Sequence, residues 1–226
     1  MSVPGIRFLL LASVLVGALA GLLACQRTDG QVSSTVPVPY YNTPDFTPVW
    51  LVDSADLDKT IPHRVGDFSL RNQFNQQITQ ATLAEKVHVA NFFFTSCPSI
   101  CPKITSLLRA VQDTFRREPK VILLSFSVTP WLDSLPRLRG YAKRNGVLSK
   151  NWHLLTGGRG AIYALARQSY FAEEAMGFSK DSTEFIHTEH VVLVDKNRRI
   201  RGIYNGTQAL EIDKLIIDIH RLLKEN

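Results

Sequence analysis

The sequence predicts an α/β domain, a central mixed sheet covered by helices, set behind an N-terminal export segment. Three observations point there. Continuous apolar runs of strand length, rich in β-branched and aromatic residues, recur at 87–94 and 120–128, as strands buried on both faces require. Apolar residues at helical spacing follow both runs. Two further strand-like runs near the C-terminus are joined by a short polar turn, which adds a hairpin to the sheet. With 226 residues, 45% of them hydrophobic, the chain can fill one core of ordinary size, which excludes disorder throughout.

Before the domain, MSVPGIR carries only the α-amino group and Arg7 as positive charge, and residues 8–24 are then uninterrupted apolar or small. This reads as an export segment outside the fold, about 25 Å long as a helix. It ends in Leu22-Leu23-Ala24-Cys25, which resembles a bacterial lipobox whose cysteine is lipid-modified and becomes the mature N-terminus; the alternative is an uncleaved membrane helix. Either way the rest of the chain lies outside the cytoplasm on a membrane tether. Residues 1–24 are thus the signal peptide or anchor, 25–59 the lipobox cysteine and linker, and 60–226 the domain.

The stretch 26–48 is polar and proline-rich and reads as a semi-extended spacer. FTPVWLVDS offers an extended segment, and IPHRVGDFSLRNQFNQQIT reads as two short strands around a polar turn. After the strand at 87–94, the spacing of Ile104, Leu107, Leu108, Val111 and Phe115 predicts a helix over 102–117. The second long strand, 120–128, precedes a helix over 135–145 closed by Gly146, a short strand at 152–157 and a helix over 159–168. Strands at 189–195 and 198–206 meet at Lys196-Asn197, and a helix over 209–224 ends the chain. This is the element order of a thioredoxin-like three-layer domain, in which the loop after the first long strand suits a reactive site.

The formal charge of +6 would admit nucleic acid as a partner if the basic residues gathered on one motif. They do not: Arg116-Arg117, Arg137-Arg139, Lys143-Arg144 and Arg198-Arg199-Arg201 are spread over helices and a turn, and read as solvated surface.

The three cysteines carry the chemistry. Lipidation of Cys25 would leave Cys97 and Cys101, and a close pair in an exported domain forms a disulfide, a metal site, or both in alternation. In NFFFTSCPSICPKITSLL, Cys97 falls in the loop and Cys101 beside the helix start, where Pro102 suits the first turn. Free N–H groups and the helix dipole stabilise thiolate there, so both sulfurs are candidate nucleophiles and ligands. Two intervening residues would make the usual redox motif; three widen the bite enough for two thiolates to flank a metal ion. Soft thiolates favour Cu(I), and a histidine must complete the site. His88 and His153 sit in strand patterns, His220 on the last helix and His63 in an early loop. His187 and His190, in STEFIHTEHVVLVD, precede the strand that lies beside the cysteine loop in this fold, so one of them is the candidate.

Four ordered blocks now carry a resemblance. FFFTSCPSICPK, SFSVTPWLDSLPRLRGYAKRNG, NWHLLTG and FIHTEHVVLVDKNRRIRGIYNG together resemble the Sco/SenC family of copper proteins over about residues 60–226. The resemblance implies a thioredoxin-like fold and copper, as Cu(I) or Cu(II), bound by Cys97, Cys101 and His187. It also implies a part in assembling the binuclear copper centre of cytochrome c oxidase. The chain would act as copper donor to the copper-site subunit, as thiol–disulfide reductant of its cysteines with Cys97 and Cys101 as redox pair, or as both. Two positions depart from the pattern: Ile186 and Thr129 stand where many members have aspartate. Asp133, Glu184 and Glu189 remain as carboxylates near the site. Two competing readings are a thiol–disulfide oxidoreductase, or a related peroxidase, without copper. A third, a structural disulfide, would close so small a loop that it adds little stability.

Overall fold

Every residue of Val87–Phe93 and Val121–Ser127 is buried, and the strands they form run side by side in parallel. The computed structural model describes residues 37–50, 53–148, 150–172 and 188–225, within one unit from Pro37 to Asn226. Among these residues the strands are β1 (Tyr40–Tyr41), β2 (Pro48–Val49), β3 (Ser69–Asn72), β4 (Gln77–Thr79), β5 (Val87–Phe93), β6 (Val121–Ser127), β7 (Trp152–Thr156), β8 (His190–Val194) and β9 (Ile200–Asn205). They join one sheet in the order β2-β1-β9-β8-β5-β6-β7-β3-β4. β5, β6 and β7 are parallel, while β8, β9 and the β3–β4 hairpin are antiparallel to their neighbours, so the sheet is mixed.

The helices are α1 (Leu57–Thr60), α2 (Ile100–Thr114), α3 (Leu135–Arg144), α4 (Arg159–Ala164) and α5 (Ala209–Leu222). Alternation along β5 sends Val87, Val89 and Phe93 to one face and Ala90 and Phe92 to the other. The first face packs on α2, α3 and α5 through Ile104, Leu108, Leu138, Tyr141, Leu215 and Ile219. The second packs on α4 and the π-helical turn after it, Leu165–Ser169, through Ile162, Leu165 and Tyr170. These three layers make the domain thioredoxin-like. α3 ends as expected at Gly146, whose φ of 70° suits a residue without Cβ.

Three local readings change. Residues 37–49 of the segment read as spacer and extended arm lie on the sheet, with Tyr41 opposite Ile200 and Tyr40 opposite Val49. The arm is held by Arg201, which donates to Val38 O at 2.7 Å and Pro39 O at 3.1 Å and lies over the Tyr40 ring. The basic cluster 198–201 is accordingly not a solvated face. Arg199 and Arg201 are each 3% exposed; Arg201 pairs with Asp195 and Glu225, Arg199 with Asp58, and Arg198 with Asp67. Finally, the turn between β8 and β9 is longer than two residues. Asp195 Oδ1 accepts the N–H groups of Asn197 and Arg199 at 2.9 Å, and Arg198 takes a left-handed φ of 68°.

Candidate functional site

β5 ends at Phe93, and its N–H ladder with β6 ends at Val128 N–H donating to Phe93 O at 2.9 Å. The chain then leaves the sheet, passes Thr95 and Ser96, and re-enters regular structure at Ile100. α2 thus begins two residues earlier than its apolar spacing suggests, which puts Cys101 inside the first turn with Pro102 beside it. Cys97 N–H donates to Phe94 O at 3.3 Å, closing the loop on itself. Cys97 Sγ in turn accepts the Cys101 N–H at 3.4 Å. Both cysteines are free thiols and nearly covered, at 6% and 5% exposed.

The two sulfurs are not equivalent. Burial raises the Cys97 thiol, but hydrogen bonds from the N–H groups of Cys101, Ser99 and Ile100 and from the Cys101 thiol outweigh it, and the net shift is downward. Cys101 moves the other way: burial pushes it up to about 12, and the neighbouring Cys97 adds to the rise while the Phe94 backbone opposes it. The expectation that the helix terminus would lower both sulfurs is therefore met for Cys97 alone. The N–H groups of the first turn point at the sulfur that precedes the helix, while Cys101 is carried inward on it.

Asp133 lies on the other side of the loop. It is fully buried, and its carboxyl accepts from Thr95 Oγ1, from Thr95 N–H at 3.2 Å, from Ser127 Oγ at 2.6 Å and from Thr129 Oγ1 at 3.0 Å. Thr129, one of the two departures noted in the sequence, is thus a hydroxyl donor to the carboxylate four residues on. Sequence reasoning singled out Asp133 and missed Thr95 and Ser127. The available signal was the hydroxyl residues that interrupt the apolar runs where each strand ends. Tyr141 completes the neighbourhood, its hydroxyl 2.9 Å from Thr105 Oγ1. Trp131 and Leu132, 55% and 46% exposed, form an apolar rim on the loop that carries Asp133, with the Arg159 guanidinium 5.0 Å from the Trp131 ring.

Of the other expected site residues, His187, Glu184, Ile186 and Cys25 lie outside the described residues. Among the described residues no set of three His, Cys, Asp or Glu side chains could hold a metal. Glu189 is exposed and accepts from Asn205 Nδ2 at 2.8 Å. His190 opens β8, half-buried, with its ring edge-on to Phe46. His88 and His153 are structural: His88 Nε2 meets Tyr170 Oη at 3.0 Å and His153 Nδ1 meets Asn72 Nδ2 at 3.1 Å, both buried. His63 Nε2–H donates to Ser169 O at 2.9 Å, and His220 packs on Phe115. Asn91 opposite Val191 sets the register, so Thr188 and Glu189 lead into β8 at the end of the sheet where β5 gives way to the cysteine loop.

A family model described as SCO1/SenC matches residues 58–224. The chain is similar to the SCO1 protein homolog of Bacillus subtilis (strain 168), 29% identical over 159 residues that cover 70% of this chain and 81% of that protein. Its fold is similar to the crystal structure of a SCO1/SenC family lipoprotein from Bacillus anthracis str. Ames. That pair has TM-score 0.62 and 27% identity, covering 72% of this chain and 96% of the other. It is likewise similar to BsSco, described with a disulfide switch and as a member of the Sco family of cytochrome c oxidase assembly proteins. There the TM-score is 0.61 and the identity 26%, over 73% and 95% of the two chains. Arabidopsis thaliana ScoI, solved with copper bound, shares the fold at TM-score 0.56 and 22% identity, over 71% and 98%.

Proposed function

The chain belongs to the SCO1/SenC family, and from that premise we propose that it is a membrane-tethered, extracytoplasmic protein that carries copper on Cys97, Cys101 and His187 for the copper centre of cytochrome c oxidase. The carrying observation is the pair of buried free thiols where β5 meets α2, with Cys97 Sγ held against the Cys101 N–H. Two thiolates are the soft donors that Cu(I) selects. His187 is the third ligand on this reading, supported by the resemblance and by the register that brings Thr188 to the same end of the sheet. Tethering through an acylated Cys25 or a retained N-terminal helix is supported by the lipobox-like ending and by the lipoprotein among the relatives.

Copper is cargo. Cys101 starts as a thiol pushed up to about 12, so loading displaces its proton, which leaves to solvent. Release runs in reverse as recipient thiolates replace Cys97 and Cys101 one at a time. A disulfide between the two removes both donors at once, so redox state gates loading.

The asymmetry of the pair favours a second use of the same sulfurs, as reductant of the recipient's disulfide. Cys97 thiolate attacks one recipient sulfur, forming a mixed disulfide and expelling the other as thiolate. Cys101, giving up its proton, then attacks Cys97 Sγ, which forms the Cys97–Cys101 disulfide and frees the recipient dithiol; two electrons pass in all.

Anaerobic copper titration of the full chain, dithiol against disulfide, tests the cargo reading. The dithiol form is expected to take up one Cu(I) and the disulfide form none, with Cys97→Ser and His187→Ala each weakening binding at least tenfold. An unreactive dithiol form would leave only the oxidoreductase reading, and unchanged affinity in His187→Ala would remove that histidine from the ligand set.

A further inference from the structure

Asp133 is a buried carboxyl group that no cation pairs among the described residues, an unfavourable arrangement unless hydrogen bonds replace its water. Its two oxygens take four donors, and two of the four come from one residue, Thr95, through its hydroxyl and its N–H at 3.2 Å. The other two, Ser127 Oγ at 2.6 Å and Thr129 Oγ1 at 3.0 Å, belong to the end of β6 and the loop after it.

The position of this knot has a cause in the sheet. The parallel ladder between β5 and β6 runs up to Val128 N–H donating to Phe93 O. The next carbonyl, Val128 O just past β6, accepts from the Tyr163 hydroxyl at 3.0 Å. Thr95 N–H, on the segment that has just left the ladder, donates to the Asp133 carboxylate at 3.2 Å. Asp133 is itself set by two backbone bonds: its N–H donates to Thr129 O at 2.9 Å, and Ser134 N–H donates to Leu132 O at 3.1 Å just before α3. The tie therefore links a rigid turn to a residue two positions before Cys97.

We propose that Asp133 is a positioning residue for Cys97: by gripping both donors of Thr95 it fixes the path of the cysteine loop so that Cys97 Sγ faces the N–H groups of the first turn of α2. It acts through Thr95 and touches neither sulfur's reacting partner. Without the grip, the bonds at the cysteines such as Cys97 N–H to Phe94 O at 3.3 Å and Cys101 N–H to Cys97 Sγ at 3.4 Å are internal to the loop and the first turn of α2. The N–H groups that stabilise the reduced form of Cys97 would then be presented less often, and the disulfide would gain relative to the dithiol.

This deepens the reading of Cys97 and Cys101 as a redox-gated pair and rests on it, but its test needs no copper. The full chain is equilibrated with reduced and oxidised glutathione, alkylated, and read by mass; both cysteines fall in the single tryptic peptide 87–103. Asp133→Asn and Thr95→Val are expected to shift the equilibrium at least threefold toward disulfide. Thr95→Ser, which keeps the hydroxyl, should restore the parent value, and Leu215→Ala, a buried substitution on α5, should lower the melting temperature without moving the equilibrium. Where Asp133→Asn does not fold, the Thr95 pair carries the comparison. An equilibrium within a factor of 1.5 of the parent in Thr95→Val, or an equal shift in Leu215→Ala, overturns the proposal. Loss of copper binding by the parent would sink the cargo reading and leave this equilibrium readable, so the two fail separately.

Discussion

Two cysteines with three residues between them differ because one precedes a helix and the other belongs to it. Cys97 collects the N–H groups of the first turn, whereas Cys101 lies inside that turn and burial raises its thiol. On the reductant reading this difference assigns the steps. Cys101→Ser should accumulate a mixed disulfide between Cys97 and a dithiol-peptide substrate, stable to gel electrophoresis without reductant, while Cys97→Ser should trap little. Equal trapping by both variants would show that the sulfurs are interchangeable. The pair, its spacing and the helix after it were legible in the sequence, since they rest on local pattern. The direction of the Cys101 shift was not, because it depends on how much of α2's first turn the sheet covers.

At the level of elements, one side chain decides where the domain begins. Arg201 on β9 donates to the Val38 and Pro39 carbonyls and pairs with Asp195 and Glu225, so it joins the N-terminal arm, the hairpin and the last turn of the chain. Removing one partner of a buried charged network leaves the others desolvated and unpaired. Arg201→Met is expected to cost about 3–5 kcal/mol, read as a lower urea midpoint; a loss under about 1 kcal/mol would mean the arm is not held this way. The strands, the helices and Gly146 as a helix stop were readable from apolar period and turn chemistry. The arm was not: Tyr40-Tyr41 is too short to show a period, and the sheet edge it completes lies some 160 residues away in sequence. The buried arginines were read as surface for the same reason, since Asp58 and the Val38 and Pro39 carbonyls that meet them are remote in sequence.

The whole molecule has an acid limit set by histidines away from the cysteines. Burial lowers His88 from 6.5 to about 3. Burial, with Lys86 adding to it, lowers His153 from 6.5 to about 4. Both are neutral when folded, so the unfolded chain takes up protons first. The stability they contribute is complete above about pH 6.5 and is lost as pH falls, through about 4 for His153 and about 3 for His88. Each contributes up to about 1.4 kcal/mol per pH unit in its window. Denaturant unfolding between pH 7 and 4 should show this slope, and His88→Gln should flatten it by about one histidine's share; a variant with the parent's slope would contradict the assignment.

By itself the sequence determined the order of strands and helices, the cysteine pair between the first long strand and its helix, and the family, because periodicity, punctuation and ordered motifs are written in consecutive residues. Tertiary structure alone decided which sulfur is stabilised, that a carboxylate accepts from Thr95 past the end of the β5–β6 ladder, and that Arg201 holds the arm at 38–40. Each of these is a balance between burial and the donors or charges that meet a group; the donors to Cys97 are its chain neighbours, but the burial that separates the two sulfurs and the partners of Asp133 and Arg201 come from elsewhere in the chain.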